Sequence, residues 1–268
     1  MLTHLSSIRS DPIGFLIELM YLIPSMLVAL TLHELAHGYV ALRCGDHTAE
    51  MMGRLSFNPL KHMDPLGTLS MLLLGIGWAK PVPVNPRNYR NFKRDDLLVS
   101  VAGIATNLCL FILGTFFAVV CVRIMCPNDT LDAITRYNGG SGARLLMRAS
   151  LYSGEEIERY LNALAGIDMV NHTCLVYVLR FLGVFSMLNI GLAVFNLLPF
   201  PPLDGYRLAD NLIFRGRWRL TPQVLRISVV LLLVLNYATN WLSYALYYAS
   251  YGAQTALLWA FLPIFGMA

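Results

Sequence analysis

Long apolar stretches alternate with short polar segments along this 268-residue chain. A helix needs about 20 apolar residues to cross a bilayer. The first apolar stretch holds Glu18, Pro24 and a His-Glu-His cluster, and no small-residue cleavage site follows it, so it is not expected to be a removable signal peptide. The pattern predicts membrane helices over 13–42, 97–122, 174–198 and about 226–248, with a shorter apolar stretch over 253–266.

Two segments between these helices have different patterns. Residues 65–79 are apolar but too few to cross, and they contain three glycines, which predicts a re-entrant hairpin. Residues 80–88 (KPVPVNPRN) have prolines at alternating positions, which excludes a helix and predicts a short extended or β segment at an edge. The predicted fold is therefore an all-α polytopic membrane protein with about five to six membrane helices, in a single domain over 1–268.

Charge indicates how these helices are oriented. Only 13% of the residues are charged, whereas soluble domains have roughly a quarter, which indicates a membrane protein. Positive residues accumulate in cytoplasmic loops, which predicts that the basic segments 43–64, 80–96 and 204–226 are cytoplasmic. Residues 127–172 have more acids than arginines and a capping box at Ser153 and Glu156, which predicts an extracytoplasmic helical insert.

Cysteines bracket this outer insert at Cys126 and Cys174. A disulfide between them is one alternative, but spacing alone does not establish proximity, and free thiols are favoured. Cys44 and Cys109 fall in a cytoplasmic flank and a membrane helix, where thiols stay reduced.

The first helix carries a candidate metal site at His33-Glu34-Leu35-Ala36-His37. In H-E-x-x-H, two imidazoles at i and i+4 lie on one helix face and can ligate one zinc ion, while the glutamate acts on water at the metal. The bare pattern also occurs by chance in soluble helices. In a lipid-compatible helix, however, ionisable groups are costly and mark function, which favours a metal site. His47 and His62, in basic loops, are expected to be surface residues.

A third ligand is expected at Asp204. The helix over 174–198 is halted by three prolines just before Asp204, at the cytoplasmic depth that the charge pattern predicts for His33 and His37. A catalytic zinc needs three protein ligands and one open position. The alternative is that Asp204 caps a helix beginning at Gly205.

Taken in order, the segments HELAHGYVA, GRLSFNPLKHMDPLGTL, GWAKPVPVNPRN and NLLPFPPLDG resemble the site-2 proteases, the zinc intramembrane metalloproteases. The chain is similar to their compact subgroup without PDZ or CBS domains. The resemblance implies one Zn²⁺ ion held by His33, His37 and Asp204, with Glu34 as catalytic acid and base. It also implies that three residues lie near the substrate, namely Gly103 and Asn107 in a G-x-x-x-N element and Asn196. Close helix packing would explain Gly103 and Asn107 equally well.

The activity implied is hydrolysis of peptide bonds in or near transmembrane segments of membrane proteins, at the cytoplasmic side of the cell membrane. A transmembrane protein substrate and the lipid bilayer are the expected partners, with no nucleic acid and no particular oligomeric state indicated. Val82 to Val84 are expected to hold the substrate as an added strand. A zinc-binding receptor or scaffold would need the ligands but not Glu34, and a metal transporter would place ligands at several depths. Glu34 beside a single site favours the protease.

Overall fold

A computed structural model describes residues 11–74, 79–125, 174–214, 224, 228 and 241–265. Within these residues the chain is helical, with short turns and irregular connections. Of the described helices, three are long and apolar enough to cross a membrane, in agreement with the predicted helices over 13–42, 97–122 and 174–198. The helices, numbered in chain order among the described residues, are α1 Pro12–Arg43, α2 Thr48–Met51, α3 Pro65–Leu74, α4 Phe92–Met125, α5 Cys174–Asn196, α6 Asp204–Ala209 and α7 Trp241–Phe261.

Parts of the prediction lie outside the described residues. These are the insert over 127–172, Cys126 with its pairing to Cys174, and most of the predicted helix over 226–248. The predicted end of that helix near residue 248 is wrong, because α7 continues without interruption from Trp241 to Phe261. Gly252 lies inside α7 and costs only about 1 kcal/mol of helix stability, so it does not end the helix.

Helix α1 begins where the Asp11 carboxylate accepts a hydrogen bond from the Gly14 N–H at 2.9 Å. Pro12 is at the first helical position, where its missing N–H has no cost. The 32 residues of α1 span about 48 Å, which exceeds the roughly 30 Å hydrocarbon core of a bilayer. The helix ends at Arg43, and Gly45, with a φ of 105°, turns the chain. The residues near Arg43 can therefore lie beyond the apolar layer.

The chain forms two compact units. The first comprises Met1–Leu108 and Gly191–Tyr248, and the second Cys109–Ile190 and Ala249–Ala268. In the first unit, an apolar cluster packs the end of α1 against the start of α4 through Ala41, Cys44, Tyr89 and Val99. In the second unit, the core is formed by Ala118, Val119, Cys121, Val122, Met125, Leu179, Leu258 and Leu262. All the candidate site residues belong to the first unit.

The segment after α3 returns to its starting point. An isolated antiparallel bridge joins Met63 to Ala79, and the Lys80 N–H donates to the His62 carbonyl at 2.9 Å. The predicted β segment near 80–88 is not seen: the structure assigns no strand to these residues, and Pro86–Asn88 form a 3₁₀ turn. The prolines that suggested an edge strand lack the N–H groups that a ladder requires. The ends of the 63–79 segment are adjacent, while its depth in the membrane remains a prediction.

Candidate metal centre

The structure brings together the two histidines of α1 and the first residue of α6. The His33 Nε2 and His37 Nε2 atoms are 3.1 Å apart. The Asp204 Oδ2 atom lies 3.1 Å from His37 Nε2 and 3.3 Å from His33 Nε2. Among the described residues, these three form the one group of histidine, cysteine or acidic side chains with metal-ligand spacing.

Asp204 reaches this position through a tight turn between α5 and α6. A Cβ atom at Gly205 would lie 2.6 Å from the Leu198 carbonyl oxygen, so only glycine permits this close approach of the backbone. The N-cap residue of α6 is Leu203, which makes no side-chain capping bond, and Asp204 is the first helical residue. Its Oδ2 atom lies against both imidazoles, so the structure supports the ligand position rather than the capping alternative.

A backbone carbonyl sets the tautomer of His37. His37 Nδ1 lies 2.7 Å from the Val99 oxygen of α4. A carbonyl oxygen only accepts hydrogen bonds, so Nδ1 carries the hydrogen and the Nε2 lone pair points to His33 and Asp204. This is the arrangement in which histidine ligands of metals are usually held. His33 is only 6% exposed.

The spacing of the three atoms fits zinc. Nitrogen and oxygen ligands lie about 2.0–2.1 Å from zinc, and at tetrahedral angles two such ligands are about 3.3 Å apart. The three observed separations are 3.1, 3.1 and 3.3 Å. Two imidazole lone pairs and a carboxylate oxygen at these distances repel one another unless a cation or proton lies between them. The spacing and the chemistry of the three donor atoms therefore fit a zinc site.

Glu34 is positioned by a different segment. Its Oε2 atom accepts a hydrogen bond of 2.7 Å from the Val82 backbone N–H. Val82 is 6% exposed, and the bond is partly buried. The sequence predicted a substrate role around Val82 but not this contact, because a backbone N–H has no sequence signature. The same holds for the Val99 carbonyl on His37.

The three residues expected near the substrate have different surroundings. A Cβ atom at Gly103 would lie 2.6 Å from His33 Nε2 and closer still to His37 Nε2, so the α4 backbone at Gly103 directly faces the ligand atoms. Asn107 is completely buried, and neither of its amide atoms has a partner in the described part of the chain. The Asn196 side-chain amide instead donates to the Leu192 carbonyl of its own helix at 3.0 Å.

The two loop histidines also differ. His47 is exposed, as expected, and lies 2.7 Å from the Glu50 carboxylate. The expectation of a surface position for His62 is wrong: it is completely buried, and its Nε2 atom lies 2.8 Å from the Ser56 carbonyl oxygen. A buried ring that bonds a loop carbonyl stabilises the turn around it. This structural role explains why His62 is buried although it does not belong to the candidate metal centre.

Comparisons with known proteins agree with this geometry. The profile described as Peptidase family M50 matches residues 21–235, which include all three candidate ligands and Glu34. "Putative zinc metalloprotease YwhC" of Bacillus subtilis (strain 168) is 35% identical over 245 residues, covering 91% of this chain and 92% of that protein. "Putative zinc metalloprotease Rip2" of Mycolicibacterium smegmatis is 35% identical over 107 residues, covering 38% of this chain and 41% of that protein. No solved structure matches the chain. The resemblance found in the motifs is thereby confirmed, and the chain belongs to peptidase family M50, the site-2 proteases.

Proposed function

We propose that this protein is an intramembrane zinc metalloendopeptidase that hydrolyses peptide bonds in or near transmembrane segments of membrane proteins, as a step of regulated intramembrane proteolysis. The observation that carries this proposal is the convergence of His33, His37 and Asp204 to within 3.3 Å, with Glu34 next to His33 in the chain. The family and the zinc metalloprotease names of the relatives support zinc as the metal. We assign one ion to the three ligands.

The chemistry follows from this arrangement. When bound, zinc would supply a Lewis acid that polarises the scissile carbonyl and lowers the pKa of water. Glu34 takes the proton from the attacking water and later delivers it to the leaving amine. Its Oε2 atom is held by the Val82 N–H. We assign the proton transfer to Oε1, which has no hydrogen-bond partner among the described residues.

The site is proposed to lie toward the cytoplasmic side of a multi-pass cell-membrane protein. His37 is six residues, or about 9 Å, from the end of α1 at Arg43. Basic segments follow α1 and precede α4, which favours a cytoplasmic location for this end. Water then has a short route to the site, and the hairpin over 65–79 is proposed to dip into the membrane and return.

A substrate helix hides its carbonyls in its own hydrogen bonds, so it must unwind before cleavage. We propose that the unwound segment is held as an added strand along Val82 to Val84. The Val82 N–H is already bonded to Glu34, so pairing uses the Val82 carbonyl and the Val84 N–H. Gly103 lets the backbone of α4 lie directly against the ligand atoms, which keeps this part of α4 next to the proposed position of the scissile peptide. Asn107, one turn further along α4, is buried with an unpaired amide, and we propose that this amide faces the substrate when it binds.

The proposal is tested by cleavage of a model transmembrane substrate in proteoliposomes. Glu34→Gln should abolish cleavage while leaving bound zinc, measured by mass spectrometry of the metal, at the wild-type level. Glu18→Gln is the matched control, because it makes the same change at an exposed position of the same helix, and it should cleave normally. Continued cleavage by Glu34→Gln would exclude the proposed base. Normal biological function without Glu34 would instead indicate a receptor or scaffold.

A further inference from the structure

A buried carboxylate lies just beyond α1, at Asp46. It is 1% exposed. Its Oδ2 atom accepts from the Asn85 N–H at 2.6 Å, and its Oδ1 atom accepts from the Asn88 side-chain amide at 2.8 Å and the Thr48 N–H at 3.1 Å. The Thr48 hydroxyl is a fourth donor. Among the described residues, Asp46 has no ion-pair partner, so these neutral donors stabilise its charge.

The donors keep Asp46 ionised. Burial alone raises the pKa of the Asp46 carboxyl, but hydrogen bonds from Asn85, Thr48 and Asn88 outweigh it and hold that pKa below its ordinary value. A buried carboxylate is costly unless it is hydrogen-bonded. Asp46 therefore strongly favours the one placement of the 85–88 turn in which both asparagines donate to it.

This turn continues the segment that bears Val82. Asn85 is three residues after Val82, and Arg54 holds the other side by donating to the Lys80 carbonyl at 2.9 Å and the Pro81 carbonyl at 3.2 Å. The Val82 side chain packs against Gly38, where a Cβ atom would lie 3.0 Å from Val82 Cγ1. The segment is thus fixed on both sides of the N–H that bonds Glu34.

The segment has few backbone N–H groups that could fix it by hydrogen bonds. Prolines at positions 81, 83 and 86 have no N–H, so residues 80–86 provide only four backbone donors, at 80, 82, 84 and 85. Three of these donate, to the His62 carbonyl, to Glu34 and to Asp46. A shift of about 1 Å would lengthen the 2.7 Å bond to Glu34 beyond hydrogen-bond range. The position of the Val82 N–H therefore depends strongly on Asp46.

We propose that Asp46 is a positioning residue for the general base: it fixes the proline-rich segment so that the Val82 N–H holds the Glu34 carboxylate. The inference rests on the proposed function of Glu34. Holding Oε2 restricts rotation of the carboxylate and leaves Oε1 for proton transfer. A misplacement of about 1 Å in a catalytic group can lower the rate by about 100-fold.

A double-mutant cycle tests the coupling through kinetics. Asp46→Ala and Val82→Pro, which removes the N–H, should each lower kcat, measured at saturating substrate, by roughly 10- to 100-fold, with zinc content near wild type. The double variant should be no slower than Val82→Pro alone, because both changes act through one bond. In a Val82→Ala background, which keeps the N–H, Asp46→Ala should still lower kcat. Glu50→Ala removes an exposed carboxylate four residues further along the chain, in α2, and is the control. Multiplicative losses in the double variant would overturn the proposal.

Hydrogen exchange tests it without any activity. Exchange is carried out on the intact protein and read on a proteolytic peptide that covers residues 80–86. Its prolines leave only a few exchangeable backbone amides, so changes at Val82 and Asn85 are readily detected. Asp46→Ala should speed exchange at Val82 and Asn85 by at least about 10-fold. Glu34→Ala should speed exchange at Val82 alone, and Glu50→Ala at neither. Unchanged exchange at Val82 in Asp46→Ala refutes the positioning role whatever the protease assay gives. If exchange behaves as expected but the wild-type protein does not cleave, the positioning contact stands and the proposed function fails.

Discussion

Replacing Gly103 with alanine should disrupt the metal centre. The added Cβ atom would lie 2.5 Å from His33 Cε1, 2.6 Å from His33 Nε2 and closer still to His37 Nε2. Non-bonded carbon atoms are normally about 3.5–4.0 Å apart, so the contact is about 1 Å too short. Either the rings or the backbone of α4 must move.

Movement is restricted because His37 is tied to the same helix. Its Nδ1 atom bonds the Val99 carbonyl at 2.7 Å, and Val99 is one turn before Gly103 in α4. If α4 moves away from the new methyl group, it pulls the Val99 carbonyl away from His37. If His37 moves instead, it loses the same bond. Both routes weaken the hydrogen bond that orients His37. Loss of such a bond to a histidine ligand usually lowers metal affinity by about 10- to 100-fold.

We therefore expect Gly103→Ala to weaken zinc binding by about 10- to 100-fold, or about 1.4–2.8 kcal/mol. The assay is competition between the purified protein and a chelator of known affinity. Gly191→Ala is the matched control, because it also lies in a helix and a Cβ atom there meets nothing within 4 Å. It should bind zinc as the wild type does. Wild-type affinity in Gly103→Ala would refute the close approach of α4 to the ligands.

Three further changes give distinct outcomes. Asp204→Ala should lower zinc occupancy measured by metal analysis, because two imidazoles alone bind zinc weakly; unchanged occupancy would show that Asp204 is not a metal ligand. Because the Asp46 pKa is lowered on folding, its stabilisation is present above its unfolded pKa of about 3.9 and is lost as pH falls through the lower folded pKa. The unfolding free energies of metal-free wild type and Asp46→Asn should therefore converge as pH falls, and a constant difference contradicts this. His62→Ala should lower the unfolding free energy by about 1–3 kcal/mol, because it leaves the Ser56 carbonyl unpaired, with zinc content unchanged. A loss of zinc would place His62 in the metal centre.

The sequence was most informative where local pattern and chemistry coincide. Two imidazoles at i and i+4 must share a helix face, and a proline-broken helix ending at the predicted depth led to Asp204; the structure brings all three together. In the described part of the chain, three helices are long and apolar enough to cross a membrane, and their apolar stretches predicted them. These features could be predicted because they depend on residues that are close in the chain, or on a depth in the membrane that two distant segments share.

Sequence reasoning was least informative where tertiary contacts decide. The alternating prolines around Val82 suggested an edge strand, but the same prolines remove the N–H groups that a strand would pair. His62 was expected at the surface because its loop is basic, whereas the chain folds over its ring. Asp46 carried a weak signal, an acid two residues before a threonine, which is typical of a turn. Nothing in that signal identified Asn85 and Asn88 as partners 39 and 42 residues away.

Backbone groups orient two side chains of the proposed mechanism, one candidate metal ligand and the candidate general base. The Val99 carbonyl orients His37, and the Val82 N–H holds Glu34. Substitution of a side chain leaves a carbonyl in place, and it removes an N–H only when proline is introduced, so these contacts resist most mutations at their own positions. The two contacts are instead sensitive to substitution of the residues that position the two backbone segments. For α4 that residue is Gly103, which sets how closely the helix approaches α1, and for the proline-rich segment it is Asp46. Among substitutions that leave the three ligand residues and Glu34 unchanged, those at Gly103 and Asp46 should therefore lower activity more often than those at Val82 or Val99.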